Sequence, residues 1–154
     1  MEILEDLDLN NIFEGAQNDF VKLQSLCQYL RDNVEHYDWV GFYIVDPAKK
    51  VLKLGPFSGE PTEHKIIPYG KGVCGESAKK EQTIIVPNVA ALDNYLSCSL
   101  MVKSEMVIPV FKDGRYMAQL DIDSHTLDAF EDQDRNYLEK LCSKLGVLFP
   151  LNTN

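Results

Sequence analysis

Four residues in the second half of the chain have the types and spacing of a small reaction centre. Cys98 stands between two serines, Glu105 follows seven residues later, and Asp121 and Asp123 come two apart in L-D-I-D. A thiol reacts as its thiolate. Carboxyls crowded into one cavity cannot all ionise cheaply, so at least one keeps a proton near neutral pH. A nucleophilic sulfur beside a proton-holding carboxyl is an acid–base pair in search of a substrate. The same acids oppose the thiolate, because negative neighbours raise a thiol pKa.

These side chains converge only if the backbone brings them together. Asp113-Gly114 lies between two apolar runs and is a hairpin signal, since both turn positions favour positive φ. A hairpin centred there places residue i opposite residue 227 − i, which puts Glu105 beside Ile122. Along the second strand, Tyr116, Ala118, Leu120 and Ile122 take one face, and Met117, Gln119, Asp121 and Asp123 the other. Trp39, Gly41 and Tyr43 likewise share a face. The missing side chain at Gly41 leaves room for an aromatic-walled slot that suits a small apolar or sulfur-bearing group. Two ordinary core aromatics are the competing reading. Cys74 falls in the first turn of a short helix, where the positive helix end can lower a thiol pKa.

The remaining elements frame this arrangement. Phe20, Leu23, Cys27, Leu30 and Val34 draw one stripe along a helix. Trp39–Val45 reads as a buried strand, and 51–54 returns as the next one before a Gly55-Pro56 break. Residues 58–71 read as a loop, 72–80 as the short helix and 83–86 as a strand. A second long connection, 88–103, carries Cys98. A loop of that length in a compact domain is more often functional than idle. A last helix runs from Glu131-Asp132 towards Pro150, with Cys142 on its apolar face. Strands in runs with helices set apart at the ends give an α+β class. The two long terminal helices are expected on one sheet face and the reactive residues on the other. Residues 1–17 form an arm, 18–150 the domain and 151–154 a tail.

Composition narrows the partners. With 45% hydrophobic and 25% charged residues over 154 positions, the chain suits one globular domain. A net charge of −9 without a basic tract argues against nucleic acid and anionic membranes. No apolar run reaches membrane-spanning length, and the acidic start lacks a signal-peptide n-region, so a cytoplasmic location is expected. Four cysteines without C-x-x-C, and three histidines without ligand spacing, predict neither a disulfide framework nor a metal site.

The pieces D-W-V-G-F-Y (38–43), L-G-P-F (54–57), G-K-G-V-C-G (70–75), the cysteine loop (95–98), S-E-M-V-I-P (104–109) and L-D-I-D-S (120–124) resemble, in order and spacing, the GAF-domain free methionine-(R)-sulfoxide reductases. The resemblance implies a single GAF domain with a six-stranded antiparallel sheet, usually a homodimer. It implies thiol-dependent reduction of free methionine sulfoxide, with no bound cofactor and thioredoxin or another thiol as external reductant. By position, Cys98 matches the nucleophile, Glu105, Asp121 and Asp123 the acids around the sulfoxide oxygen, and Trp39 and Tyr43 the walls around the methyl-sulfur end. Cys74 matches the middle cysteine. His64 stands where the family usually carries its resolving cysteine, and Ser99 where aspartate commonly follows the nucleophile. Cys74 or an external thiol is then left to resolve Cys98. A non-catalytic GAF module that senses a small ligand is the alternative.

Overall fold

In a computed structural model, which describes residues 5, 7–96 and 100–152, a six-stranded sheet carries helices on both faces. The elements run α1 (Leu9–Ile12), α2 (Asp19–Asn33), β1 (Trp39–Asp46), β2 (Val51–Ser58), β3 (Ile66–Pro68), α3 (Gly72–Lys80), β4 (Ile84–Val86), β5 (Ser104–Lys112), β6 (Arg115–Ser124) and α4 (Asp132–Ser143). Every strand pair is antiparallel, in the order β3-β2-β1-β6-β5-β4. The expected α+β architecture and six-stranded antiparallel sheet are both present.

Each terminal helix starts where its sequence provides a cap. Asn18 accepts a hydrogen bond from the Val21 amide, 2.9 Å away, and opens α2. At α4 the Asp134 carboxylate reaches back to the Glu131 amide at 2.8 Å, in a reciprocal capping arrangement. Leu23, Leu26, Cys27 and Leu30 of α2 and Leu138, Leu141 and Cys142 of α4 enter one core cluster with Phe42, Met106, Leu120 and Ile122 from the sheet. Both helices thus cover one face, α2 against β1 and β2 and α4 against β5. Cys27 and Cys142 are packing residues, as their stripes require, and burial pushes both thiols far up. Helix α4 stops at Ser143, short of Pro150; a separate 3₁₀ turn, Gly146–Leu148, follows. Leu7, Leu9, Ile12 and Phe13 of the arm also pack on this cluster.

Three departures from the expected strands have local causes. First, β2 does not break at Gly55-Pro56. Gly41 pairs with Phe57 and Tyr43 with Leu54, so Gly55 and Pro56 together oppose Phe42 in a bulge. A proline, which has no amide to donate, is tolerated at such a position. Second, the 58–71 connection contains β3, three residues paired with β2 at the sheet edge and too short to show alternation. Third, the β5–β6 hairpin changes register. Its turn is as expected, with φ of 51° at Asp113 and 78° at Gly114. Near the turn Phe111 faces Tyr116, but Val110 faces Ala118, which leaves Met117 as an extra residue. That bulge reverses the alternation. Tyr116 therefore joins Gln119, Asp121 and Asp123 on the face away from α2 and α4, and Met117 packs on the helix side. Glu105 faces Asp123 and not Ile122.

Candidate functional site

The sheet register assembles the site. Across β1, β6 and β5, Trp39 pairs with Asp123 and Asp123 with Glu105; one step along, Gly41 pairs with Asp121 and Asp121 with Val107. Directly paired residues on adjacent strands point to the same side, so Trp39, Asp123 and Glu105 form one cross-sheet row. The vacancy at Gly41 is filled by the tryptophan: a Cβ there would lie 2.3 Å from Trp39 Cη2 and 2.8 Å from Phe57 Cβ. The indole folds back over Gly41, stacks on Phe57 at 5.5 Å between ring centres and lies 6.4 Å from Tyr43. Its Nε1 donates to Glu60 O at 2.9 Å, and the Tyr43 hydroxyl donates to His64 O at 2.8 Å. Both rings are thereby tied to the 58–71 connection.

Helix α3 closes the other side. It lies against β5 and β6, and Gln119 anchors it by donating to Cys74 O at 3.1 Å and to the Tyr116 hydroxyl at 2.7 Å. Ser77 adds a hydroxyl contact to Tyr116 at 3.1 Å. So held, the Cys74 thiol donates to Asp121 Oδ2 at 3.3 Å and stands 3.8 Å from Glu105 Oε1. Ligand atoms of Cys74, Glu105 and Asp121 all lie within 4.8 Å of one another, and all three residues are buried.

The electrostatics follow from that burial. Asp121 and Asp123 are each 1% exposed, and Glu105 5%. Burial raises the Asp121 carboxyl above its usual range, with partial relief from Glu105 and the Cys74 thiol. Asp123 rises further, because burial is joined by the charge of Asp121. Among the described residues, Asp121 Oδ1 and both carboxyl oxygens of Asp123 have no hydrogen-bond partner. Burial and crowding thus bias both aspartates towards the protonated form. The expectation for Cys74 is corrected: its thiol is driven well up, first by burial and then by Asp121, Glu105 and Asp123. Burial and the nearby carboxyls outweigh the helix end, whose benefit is small beside a desolvation penalty.

Two small clefts open onto this wall. One, of about 10 Å³ and so large enough for roughly one water, is lined by Tyr43, His64, Cys74, Leu96, Glu105 and Asp121 among others. The second, about 100 Å³, is bordered by Arg31, Asp38, Trp39, Glu60, Asp123 and His125 with Val102. The anticipated residues are therefore brought to one wall but shared between two openings. Cys98 lies outside the described residues; Leu96, two positions before it, lines the first cleft. Sequence reasoning missed Gln119 as the anchor of α3, and His64, Leu96 and Arg31 as lining residues. The lone glutamine among apolar residues in M-A-Q-L-D was the only available signal for Gln119.

Residues 23–149 match the GAF domain family. Free methionine-R-sulfoxide reductase of Saccharomyces cerevisiae is 38% identical over 153 residues, covering 94% of this chain and 84% of that protein. GAF domain-containing protein A of Dictyostelium discoideum is 34% identical over 137 residues, covering 89% and 85%. Among solved structures, free methionine-R-sulfoxide reductase from Neisseria meningitidis in complex with its substrate superposes with a TM-score of 0.86. It is 34% identical, over 96% of this chain and 86% of that one. With its sheet order and its sequence in agreement, the chain belongs to the GAF domain family and, within it, to the free methionine-R-sulfoxide reductases.

Proposed function

We propose that the protein reduces free L-methionine (R)-sulfoxide to methionine with Cys98 as nucleophile. The observation that carries this reading is the buried carboxyl wall of Glu105, Asp121 and Asp123, its two aspartates raised above their usual range, beside the aromatic pair Trp39 and Tyr43. A sulfoxide presents a strongly basic oxygen and a polarisable methyl-sulfur end. The carboxyls hydrogen-bond the oxygen and the rings hold the methyl-sulfur end. Cys98 sulfur attacks the sulfoxide sulfur as a carboxyl protonates the oxygen. The oxygen then passes to Cys98, giving methionine and Cys98 sulfenic acid; the carboxyl's proton stays on the new S–OH, and the Cys98 thiol proton takes its place on the carboxyl. Attack of the Cys74 thiol on that sulfenic acid forms a disulfide and expels water, and a thioredoxin-like dithiol restores both thiols. The high Cys74 pKa disfavours its thiolate, so removal of its proton by Asp121, already its hydrogen-bond partner, belongs to this step. A homodimer working in the cytoplasm fits the same reading.

The test supplies the reduced protein with the R and S epimers of free methionine sulfoxide and dithiothreitol, and measures methionine. Consumption of the R epimer alone, abolished in Cys98→Ser, is the expected result. Methionine from neither epimer would leave the non-catalytic GAF reading in its place. Mass spectrometry after one equivalent of substrate, without reductant, should find a Cys74–Cys98 disulfide; a stable Cys98 sulfenic acid with Cys74 free would assign resolution to an external thiol.

A further inference from the structure

We propose that Cys74, Glu105 and Asp121 form a binding site for a thiophilic divalent cation of the zinc class, and that the bound cation shuts the reductase site. The second half of this statement rests on the function proposed above; the first does not. Zinc in tetrahedral coordination takes thiolate sulfur at about 2.3 Å and carboxylate oxygen at about 2.0 Å, which sets sulfur and oxygen about 3.5 Å apart. The observed separations from Cys74 Sγ, 3.3 Å to Asp121 Oδ2 and 3.8 Å to Glu105 Oε1, bracket that value. The two sulfur–oxygen spacings are thus close to those a zinc ion imposes, and the three donor atoms lie within 4.8 Å of one another. They come from three rigid elements, α3, β5 and β6, so the spacing is set by the fold rather than by flexible side-chain reach.

Independent of that spacing, Asp121 itself points to a ligand. It is 1% exposed, lines the first cleft, and leaves its Oδ1 without a partner among the described residues. A buried carboxyl oxygen in that condition carries a desolvation cost that a cation offsets. The donor set decides the class. One thiolate with two carboxylates selects zinc, cadmium or cobalt over magnesium and calcium, which prefer oxygen alone. On binding, the cation displaces the proton that Cys74 now donates to Asp121, together with any proton held between the carboxyls, and forms one metal–sulfur and two metal–oxygen bonds. No residue is oxidised or reduced. Three protein ligands leave a fourth position open to the cleft. A cation there occupies the carboxyls that would meet the sulfoxide oxygen and ties up Cys74 as a resolving thiol.

Titration of the reduced full-length protein with Co²⁺ tests the site, because a thiolate ligand gives cobalt a near-ultraviolet charge-transfer band that carboxylates alone do not. One equivalent should saturate the band, and Zn²⁺ should displace it. The band should vanish in Cys74→Ser and persist in Cys27→Ser, Cys142→Ser and Cys98→Ser. Binding should weaken at least about tenfold in Glu105→Gln and in Asp121→Asn, each checked for cooperative unfolding. Absence of the band under a large excess of Co²⁺, its survival in Cys74→Ser, or its loss in Cys98→Ser would overturn the proposal. The readout is absorbance rather than turnover. A protein that binds cobalt but, when metal-free, reduces no sulfoxide supports the site and refutes the reductase reading, whereas one that reduces sulfoxide equally well with and without saturating Zn²⁺ refutes the shutting.

Discussion

Replacing Asp123 with asparagine should make the protein more stable near neutral pH while it lowers activity. Asp123 is 1% exposed, faces Glu105 across the β5–β6 pairing, has Asp121 as its same-face neighbour, and has no hydrogen-bond donor for either oxygen among the described residues. Its carboxyl lies well above the ordinary value of 3.8, through burial first and the Asp121 charge second. A carboxyl raised in the folded state favours folding below its ordinary pKa. It opposes folding progressively as pH climbs from there towards the folded value, because the unfolded chain ionises freely and the folded one does not. Each pH unit in that window costs about 1.4 kcal/mol, so at pH 7 the ceiling is about 4 kcal/mol. Asparagine keeps the shape, removes the ionisation and can donate to Glu105 or Asp121; part of the gain is lost in refitting an amide. A net gain of about 1–3 kcal/mol is expected, or roughly 3–9 °C in Tm for a chain of this size. Urea unfolding of both proteins between about pH 4 and pH 8 should show a gap that widens with pH. A variant less stable than the parent at pH 7, or a gap that does not change across this range, would refute the argument. A site that costs stability to keep is the usual trade between function and folding.

Two further substitutions probe other parts of the frame. Gly41→Ala places a methyl into Trp39 and against Phe57, so it should cost about 1–3 kcal/mol by overpacking and shift the emission of Trp39, the only tryptophan in the sequence; unchanged emission would mean the ring does not rest there. Asp134→Asn weakens the tie formed by the Tyr37 hydroxyl at 2.6 Å, His36 at 3.3 Å and the Glu131 amide, for a loss of about 1–3 kcal/mol at neutral pH. Burial pushes the Asp134 carboxyl up, but hydrogen bonds from His36, Tyr37 and Glu131 win and hold it below 3.8. Its contribution is therefore present above that value and disappears as pH falls through the folded one, so the gap between parent and variant should close on acidification.

How much of this was legible beforehand depended on the range of the interaction. The apolar stripe of the first long helix, the Asp113-Gly114 turn and the two-residue period of the aspartates are local, and each appeared where its residues required. The bulge at Met117 was not legible, because no glycine or proline marks it; it became visible only through the pairing partners. For that reason Tyr116 was placed on the wrong face and Glu105 one residue off its partner. Strand β3 escaped notice because three residues are too few to display alternation. Cys74 was the clearest miss. The sequence placed it in the first turn of a helix, but its environment depends on where α3 sits over β5 and β6, and that contact spans 31 residues to Glu105 and 47 to Asp121. Local chemistry suggested an activated thiol, and tertiary packing made it a suppressed one.

The extra residue at 117 also divides the hairpin into two segments with different tolerance. Lengthening or trimming the tip between Lys112 and Arg115 leaves the ladder beyond the bulge in place. Deleting Met117 would remove the slip itself, and the strand beyond it would have to rotate by half a period or re-pair. Leu120 and Ile122 would then compete with two acids for the oily side of the sheet. A single methionine with no role in chemistry thus works as a ratchet tooth, keeping the reactive row turned away from α2 and α4 while the loop tip remains free to vary.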